Sequence, residues 1–148
     1  MRRIVVPVAG DLVIDKLGLS EADRAMVVEE TDCVINVAAS VNFEEPLLDA
    51  LEINYFGCKR MLQLAKECKR ARVMTHVSTA FTNSDNHTGG TIEEKVYDIN
   101  GVSDPEQIVK HIVRLGPQKC EEQLRSILGK FPNTYTFTKR LAELMLRE

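Results

Sequence analysis

The 148-residue chain lacks the features that mark several classes of protein. It has no apolar run of about 18 residues, which excludes a transmembrane helix within these residues. The apolar run after Met1-Arg2-Arg3 is broken at Pro7 and is too short for the core of a signal peptide. Its 19 basic and 22 acidic residues form no basic block, which argues against a nucleic-acid surface.

The cysteines and histidines also show no metal-binding pattern. None of the four cysteines is paired at C-x-x-C spacing, and the three histidines are scattered along the chain. We therefore predict no metal site, and we expect reduced thiols in a cytosol-facing protein. The chain is 44% hydrophobic and 28% charged, which is typical of a globular domain or part of one.

The apolar pattern predicts an α/β fold with a parallel sheet. Residues 4–8, 33–39 and 72–77 are the predicted strands, and Pro7 restricts the first to a sheet edge or an irregular strand. A helix capped by Ser20 should run to about Glu30, and a longer helix should cover residues 46–69. Alternating strands and helices favour right-handed parallel crossovers.

Residues 83–131 form a predicted insertion. Turn formers dominate residues 83–90, residues 92–97 favour a short extended segment, and helices are expected from Asp104 to Leu115 and from Pro117 to Gly129. The insertion is too long for a simple connection, so it is a candidate flap over a substrate, although its charges are equally consistent with a solvated surface.

The sequence of residues 132–148 predicts a helix that begins near Pro132 and Asn133. Tyr135 and Lys139 are four residues apart and should therefore leave the same face of this helix. The ammonium favours the phenolate, so the phenol proton becomes easier to deliver. A solvated Tyr and Lys remain an alternative, because this spacing arises readily by chance.

One polar residue interrupts the apolar face of the longer predicted helix. The Asn54 amide either forms its hydrogen bonds with nearby backbone or holds a water or a backbone group for a reaction nearby. Gly57 lowers the local helix propensity and would tolerate a kink.

Small and polar residues follow each predicted strand. They are Gly10, Asp11 and Leu12 after the first, Ala38 and Ala39 after the second, and Ser78 and Thr79 after the third. Because ligands of parallel sheets bind beyond the carboxyl ends of the strands, these residues predict a common site. Ordinary strand-end chemistry is the alternative for the two hydroxyls.

The Tyr135–Lys139 spacing resembles the Tyr-x-x-x-Lys of the extended short-chain dehydrogenase/reductases. Together, four segments are similar to the alcohol-forming fatty acyl-CoA reductases, which carry a male-sterility-type NAD(P)-binding domain. These segments are VINVAASVNF, LEINYFG, HVSTAF and NTYTFTKRLAE. The resemblance implies a Rossmann-like, doubly wound fold for residues 1–148.

The resemblance also implies an NADPH site. Asp11, with Leu12 beside it, would contact the adenine ring, and Ala38 and Ala39 would lie under the cofactor. Lys139 would bind the nicotinamide ribose next to Tyr135.

The resemblance implies the catalytic residues as well. Asn54 would hold a water, Thr79 would supply the active-site hydroxyl with Ser78 as its alternative, and Tyr135 would donate a proton with the help of Lys139. Long-chain fatty acyl-CoA would be reduced through an aldehyde to a primary alcohol, at the peroxisomal or endoplasmic reticulum membrane. Another thioester reductase or a sterol dehydrogenase is the nearest alternative activity.

One motif of that family is missing from the chain. No G-x-x-G-x-x-G turn follows an early strand, and the match begins at the family's third strand, so residues 4–8 should have no neighbouring strand. We therefore expect an incomplete domain that lacks the first two strands and is inactive in isolation. A truncated, non-catalytic product or a partner-binding pseudoenzyme is the alternative.

Overall fold

Two short parallel strands form the sheet in a computed structural model that describes residues 5–86 and 91–147. Strand β1 spans Cys33–Asn36 and strand β2 spans Val73–His76, with Cys33 opposite Val73 and Asn36 opposite His76. Both strands are shorter than predicted, since β1 ends at Asn36 and β2 includes neither residue 72 nor residue 77, although the Val77 N–H still donates to the Asn36 carbonyl oxygen at 2.9 Å. The fold is a partial Rossmann-like α/β fold, which confirms the predicted class.

The prediction of a strand at residues 4–8 is wrong for its described part. Residues 5–8 have no regular structure, and Val5 and Val6 are 76% and 61% exposed. The physical reason is that no strand among the described residues pairs with this segment to accept its backbone hydrogen bonds, and Pro7 has no N–H to donate. Residue 4 lies outside the described residues.

Helix α1, Glu21–Glu30, connects this irregular segment to the sheet. Its predicted cap is confirmed, since the Asp23 N–H donates to Ser20 Oγ at 3.1 Å. Val27 and Val28 of α1 pack against a small cluster that contains Leu17, Leu64 and Cys68.

The long helix predicted between the strands contains an irregular turn. It consists of α2, Leu47–Leu51, a π-helical turn, Glu52–Gly57, and α3, Cys58–Glu67. The π turn ends at Gly57, where the sequence predicted tolerance of a kink. It also contains Asn54, and π turns often occur at functional sites.

Helix α6, Thr134–Arg147, lies at the centre of the core. The Thr136 N–H donates to Asn133 Oδ1 at 2.9 Å, which confirms the predicted start of the helix. Phe137, Leu141 and Leu144 are at most 1% exposed. The predicted apolar stripe is therefore the face that packs against α2 and the π turn.

The insertion supplies two further helices. Helix α4 spans Pro105–Glu122 and is bent at Gly116, whose φ is 73°, and α5 spans Leu124–Leu128. The single helix predicted after Pro117 is therefore divided, and residues 92–97 form no strand. Val109 and Ile112 of α4 are buried in the core, so this part of the insertion belongs to the folded body.

Residues 80–86 form turns at the start of the insertion, with a 3₁₀ turn at Ala80–Asn83. The rest of the predicted loop, residues 87–90, lies outside the described residues. Across 5–86 and 91–147, no helix has both the length and the apolar character that crossing a bilayer requires.

Candidate active site

The candidate site begins where the two strands end. Asn36 and His76 face each other across the last register pair, and Asn36 Nδ2 lies 3.1 Å from His76 Nδ1. The chain then continues to Ala38 and Ala39 after β1 and to Ser78 and Thr79 after β2. The parallel pairing thus brings two of the three predicted strand ends to one edge of the sheet.

Lys139 connects helix α6 to this edge. Its side chain is buried, and Nζ donates to the Val77 carbonyl oxygen at 2.9 Å. Val77 directly precedes Ser78, so the lysine lies one residue away from the candidate hydroxyls. The predicted solvated alternative for Lys139 is wrong, because the residue is only 2% exposed.

Burial sets the protonation of the groups around Lys139. Lys139 Nζ lies 3.4 Å from His76 Nε2, and Cys58 Sγ lies 3.5 Å from His76 Nδ1. Burial lowers the pKa of Lys139, and burial together with the Lys139 charge lowers the pKa of His76 to about 4. Burial raises the pKa of Cys58 to about 11, so this thiol is protonated and is a poor nucleophile at neutral pH.

Asn54 joins the chain after β1 to helix α6. Its Oδ1 accepts from the Ser40 N–H at 2.9 Å, while Nδ2 donates to the Ser40 carbonyl oxygen at 3.3 Å and to Thr138 Oγ1 at 3.1 Å. Satisfaction by nearby backbone, one of the two alternatives, is therefore observed. Asn54 therefore links Ser40, which follows Ala39, to Thr138, which precedes Lys139.

Thr79 caps the 3₁₀ turn that follows β2. Its Oγ1 accepts from the Phe81 N–H at 3.3 Å, and its carbonyl oxygen accepts from Thr82 Oγ1 at 3.1 Å. Within the described chain, the Thr79 hydroxyl hydrogen has no recorded acceptor, and the buried Ser78 Oγ has no hydrogen-bond partner. Both hydroxyls can therefore donate a hydrogen bond to an oxygen atom of a bound ligand.

Tyr135 lies one helical turn before Lys139. Its ring packs against Phe43 with centroids 5.1 Å apart, and the residue is 9% exposed. Nearby, Thr134 Oγ1 donates to the Glu45 carbonyl oxygen at 2.9 Å, which docks the start of α6 on the loop that follows β1. No hydrogen bond joins the hydroxyls of Tyr135 and Thr79 in the part of the chain that the structure describes.

The Asp11–Leu12 turn is held against α3 and the π turn. Arg60 Nη1 donates to the Leu12 carbonyl oxygen at 2.8 Å, and a Cβ on Gly57 would lie 3.1 Å from Leu12 Cβ. Asp11 Oδ1 accepts from the Val13 N–H at 3.0 Å, which leaves Oδ2 available. The Gly57 contact places Leu12 one helical turn from Asn54.

An open cavity of about 570 Å³ adjoins the hydroxyl end of β2. His76, Ser78 and Thr79 line one side of it, and Glu143 of α6 lines another. The cavity offers space for a substrate beside the two hydroxyls. Tyr135 and Lys139 are not among its lining residues.

Sequence reasoning missed four residues of this region. Asn36 and His76 are polar residues that end apolar strands, which is a usable signal. Arg140 interrupts the apolar stripe of α6 and has the same kind of signal, whereas nothing in the sequence pairs Cys58 with His76. Over 5–86 and 91–147, no group of three His, Cys, Asp or Glu could hold a metal ion.

Comparison with known proteins identifies the lineage. The NAD-binding family described as male sterility protein matches residues 1–148.

The chain belongs to this family.

Curated relatives of the chain support this family assignment. Fatty acyl-CoA reductase 8 of Arabidopsis thaliana is 34% identical over 96% of this chain and 33% of its own length. Fatty acyl-CoA reductase 1 of Xenopus laevis is 31% identical over 97% of this chain and 27% of its own length. Fatty acyl-CoA reductase 1 of Pongo abelii is 30% identical over 99% of this chain and 28% of its own length. The chain thus spans about a third or less of the length of these relatives.

The described residues fit part of a dinucleotide. The available Oδ2 of Asp11 can accept from an adenine amine, and Lys139 can donate to ribose hydroxyls. Ala38 is exposed and Ala39 half-buried, so neither side chain obstructs a flat group beyond β1. These features suit the adenine and nicotinamide-ribose ends of the cofactor of an NAD-binding family.

Proposed function

We propose that this chain contributes the catalytic helix and the hydroxyl turn to an NADPH-dependent reductase of long-chain fatty acyl-CoA. The observation that carries the proposal is the buried Lys139, which joins the helix that bears Tyr135 to the carbonyl directly before Ser78 and Thr79. The names of the curated relatives support acyl-CoA as the substrate class. The resemblance of the quoted segments supports NADPH and the alcohol product.

The hydroxyl turn binds the carbonyl oxygen of the thioester. Thr79, or Ser78 beside it, has a hydrogen to donate to an oxygen that becomes negative during the reaction. When bound, the cofactor would supply hydride to the carbonyl carbon. The tetrahedral adduct would then break its C–S bond, and the CoA thiolate would leave as a thiol after taking a proton from solvent.

Tyr135 completes the second reduction. A second NADPH, exchanged for the oxidised cofactor, would supply the hydride that converts the aldehyde to an alkoxide, and the Tyr135 hydroxyl would donate the proton that gives the primary alcohol. Lys139, one helical turn away on α6, would bind the nicotinamide ribose beside Tyr135. Asn54 holds the Ser40 backbone and Thr138 in place, and a water beside its amide would return the proton to Tyr135.

The test uses a chimera in which residues 1–148 replace the matching segment of the Xenopus laevis relative. The variant Tyr135→Phe removes only the phenol oxygen, so we expect turnover of acyl-CoA to fall at least 100-fold while the Kd for NADPH changes less than twofold. Stopped-flow absorbance and fluorescence titration measure the two quantities.

Tyr55→Phe provides the matched control. Tyr55 is also a buried tyrosine, but its hydroxyl donates to Glu106 Oε1 of α4 at 3.4 Å. We expect this variant to keep its turnover within about threefold of the parent chimera. Undiminished turnover in Tyr135→Phe would reject the proton-donor role, and a parent chimera that binds NADPH but reduces no acyl-CoA would reject the proposed substrate.

A further inference from the structure

Arg140 is a fully buried cation that the proposed reaction does not use. It follows Lys139 on α6 and is 0% exposed. Its Nη2 donates to the Thr82 carbonyl oxygen at 2.6 Å and to Asn83 Oδ1, and its Nη1 donates to the Tyr97 carbonyl oxygen at 2.9 Å. A buried cation with these partners fixes two separate segments of chain to the catalytic helix.

The first of these segments is the turn that begins at Thr79. The Thr82 carbonyl oxygen accepts a hydrogen bond from the guanidinium, and the Thr82 hydroxyl donates to the Thr79 carbonyl oxygen at 3.1 Å. The path from Arg140 to Thr79 therefore runs through a single residue. The 3₁₀ turn packs against α6, so the arginine sets the distance between the helix and the hydroxyl.

The charge of Arg140 is balanced locally. Asp85 Oδ1 lies 3.7 Å from Nη2, Glu143 Oε2 lies 3.8 Å from Nε, and the Tyr97 ring lies 5.6 Å from the guanidinium carbon. A buried ion is costly unless it is paired and hydrogen-bonded, so this arrangement needs every partner in place. Within the described residues, Arg140 Nε and Asp85 Oδ1 have no hydrogen-bond partner, so the hydrogen bonds of the two Nη atoms are the contacts that hold the two segments.

We infer that Arg140 is a positioning residue that orients the Thr79 hydroxyl toward the reacting carbonyl. This inference rests on the proposed function, because the hydroxyl turn is its target. The guanidinium donates to the carbonyls of Tyr97 and Thr82 from two different nitrogens, Nη1 and Nη2. Lysine keeps the charge but places its three donors on one nitrogen, so we expect Arg140→Lys to weaken at least one of these two contacts.

A double-mutant cycle in the chimera tests the inference. Arg140→Lys should lower kcat about tenfold or more and leave the KM for NADPH within twofold, because displacement of a catalytic group by about 1 Å has effects of this size. In the Thr79→Ala background, Arg140→Lys should lower kcat less than twofold further, since no hydroxyl remains to be positioned. The same cycle is run with Ser78→Ala.

Arg24→Lys is the matched control. Arg24 of α1 also donates to a loop carbonyl, that of Lys16 at 3.2 Å, and to a carboxylate, that of Glu67 on α3 at 2.6 Å, but neither partner belongs to the hydroxyl turn. Its substitution should leave kcat within twofold. Losses in kcat that multiply independently in the cycle of Arg140→Lys with Thr79→Ala would overturn the inference, whatever the Ser78→Ala cycle gives.

A second measurement separates this inference from the proposed function. In the 148-residue chain labelled at threonine methyl groups, Arg140→Lys should shift the NMR signal of Thr79, and Arg24→Lys should not. If the chimera proves inactive, the proposed function fails, yet the Thr79 signal still decides whether Arg140 holds the turn. An unchanged Thr79 signal would refute the positioning role.

Discussion

His76 gives the sharpest test of the buried cluster at the strand ends. The ring lies between Asn36, Cys58 and Lys139, and its burial and the Lys139 charge lower its pKa from 6.5 to about 4. The unfolded chain lacks this environment, so it binds a proton near pH 6.5. Between these values the unfolded state holds more protons than the folded state, and the free energy of unfolding therefore falls as the pH falls.

The size of the effect follows from the pKa difference. A tenfold change in proton affinity corresponds to about 1.4 kcal/mol, so the full pKa difference would correspond to about 3 kcal/mol between pH 7 and pH 4. Solvent screens the half-buried ring, so we expect His76 to cost about 1–2 kcal/mol of stability at pH 4 relative to pH 7. About half of this loss should be present by pH 5.5. Carboxylates also titrate in this range, so the comparison must be made against a variant that lacks only the imidazole.

Urea unfolding followed by circular dichroism at pH 4 to 7 measures this contribution. His76→Gln keeps a polar side chain of similar length that does not titrate, so the stability of this variant should change less between pH 7 and pH 4, by about 1–2 kcal/mol. His111→Gln is the matched control, because it makes the same substitution at an exposed position of α4, outside the cluster at the strand ends. Parallel curves for the wild type and His76→Gln would refute the reasoning.

Further substitutions test the contacts around the site. Gly57→Ala should displace Leu12, 3.1 Å from the added Cβ, and weaken NADPH binding by the chimera several-fold in a fluorescence titration. Asn54→Ala should destabilise the chain by about 2–4 kcal/mol in urea unfolding, since it leaves the Ser40 backbone groups unpaired. Ser20→Ala should cost about 1 kcal/mol through the lost cap of α1.

Each of these results has a clear contrary outcome. Unaltered NADPH affinity in Gly57→Ala would show that the Asp11–Leu12 turn takes no part in cofactor binding. A loss below 1 kcal/mol in Asn54→Ala would show that water replaces the amide at Ser40. Ser20→Ala serves as a check on the stability assay, because its effect should be local to α1 and should leave cofactor affinity unaltered.

The sequence was most informative where the pattern is local. The cap at Ser20, the start of α6 after Asn133 and the apolar stripe of α6 were all predicted, because each depends on residues within about one helical turn. The strands at residues 33–36 and 73–76 were also found, although their ends were placed too late. Residues 5–8 were mistaken for a strand, because pairing depends on a neighbour that periodicity cannot supply.

For the site, the sequence determined which chemical groups are present, and tertiary structure decided how they are used. Tyr135 and Lys139 share a helix face by spacing alone, but only packing buries the lysine and joins it to the Val77 carbonyl. Asn54 and Arg140 likewise stand out in the sequence as polar residues on apolar faces. Their hydrogen-bond partners lie 14 to 84 residues away in the chain, and contacts at such separations are set by how the helices pack on the sheet.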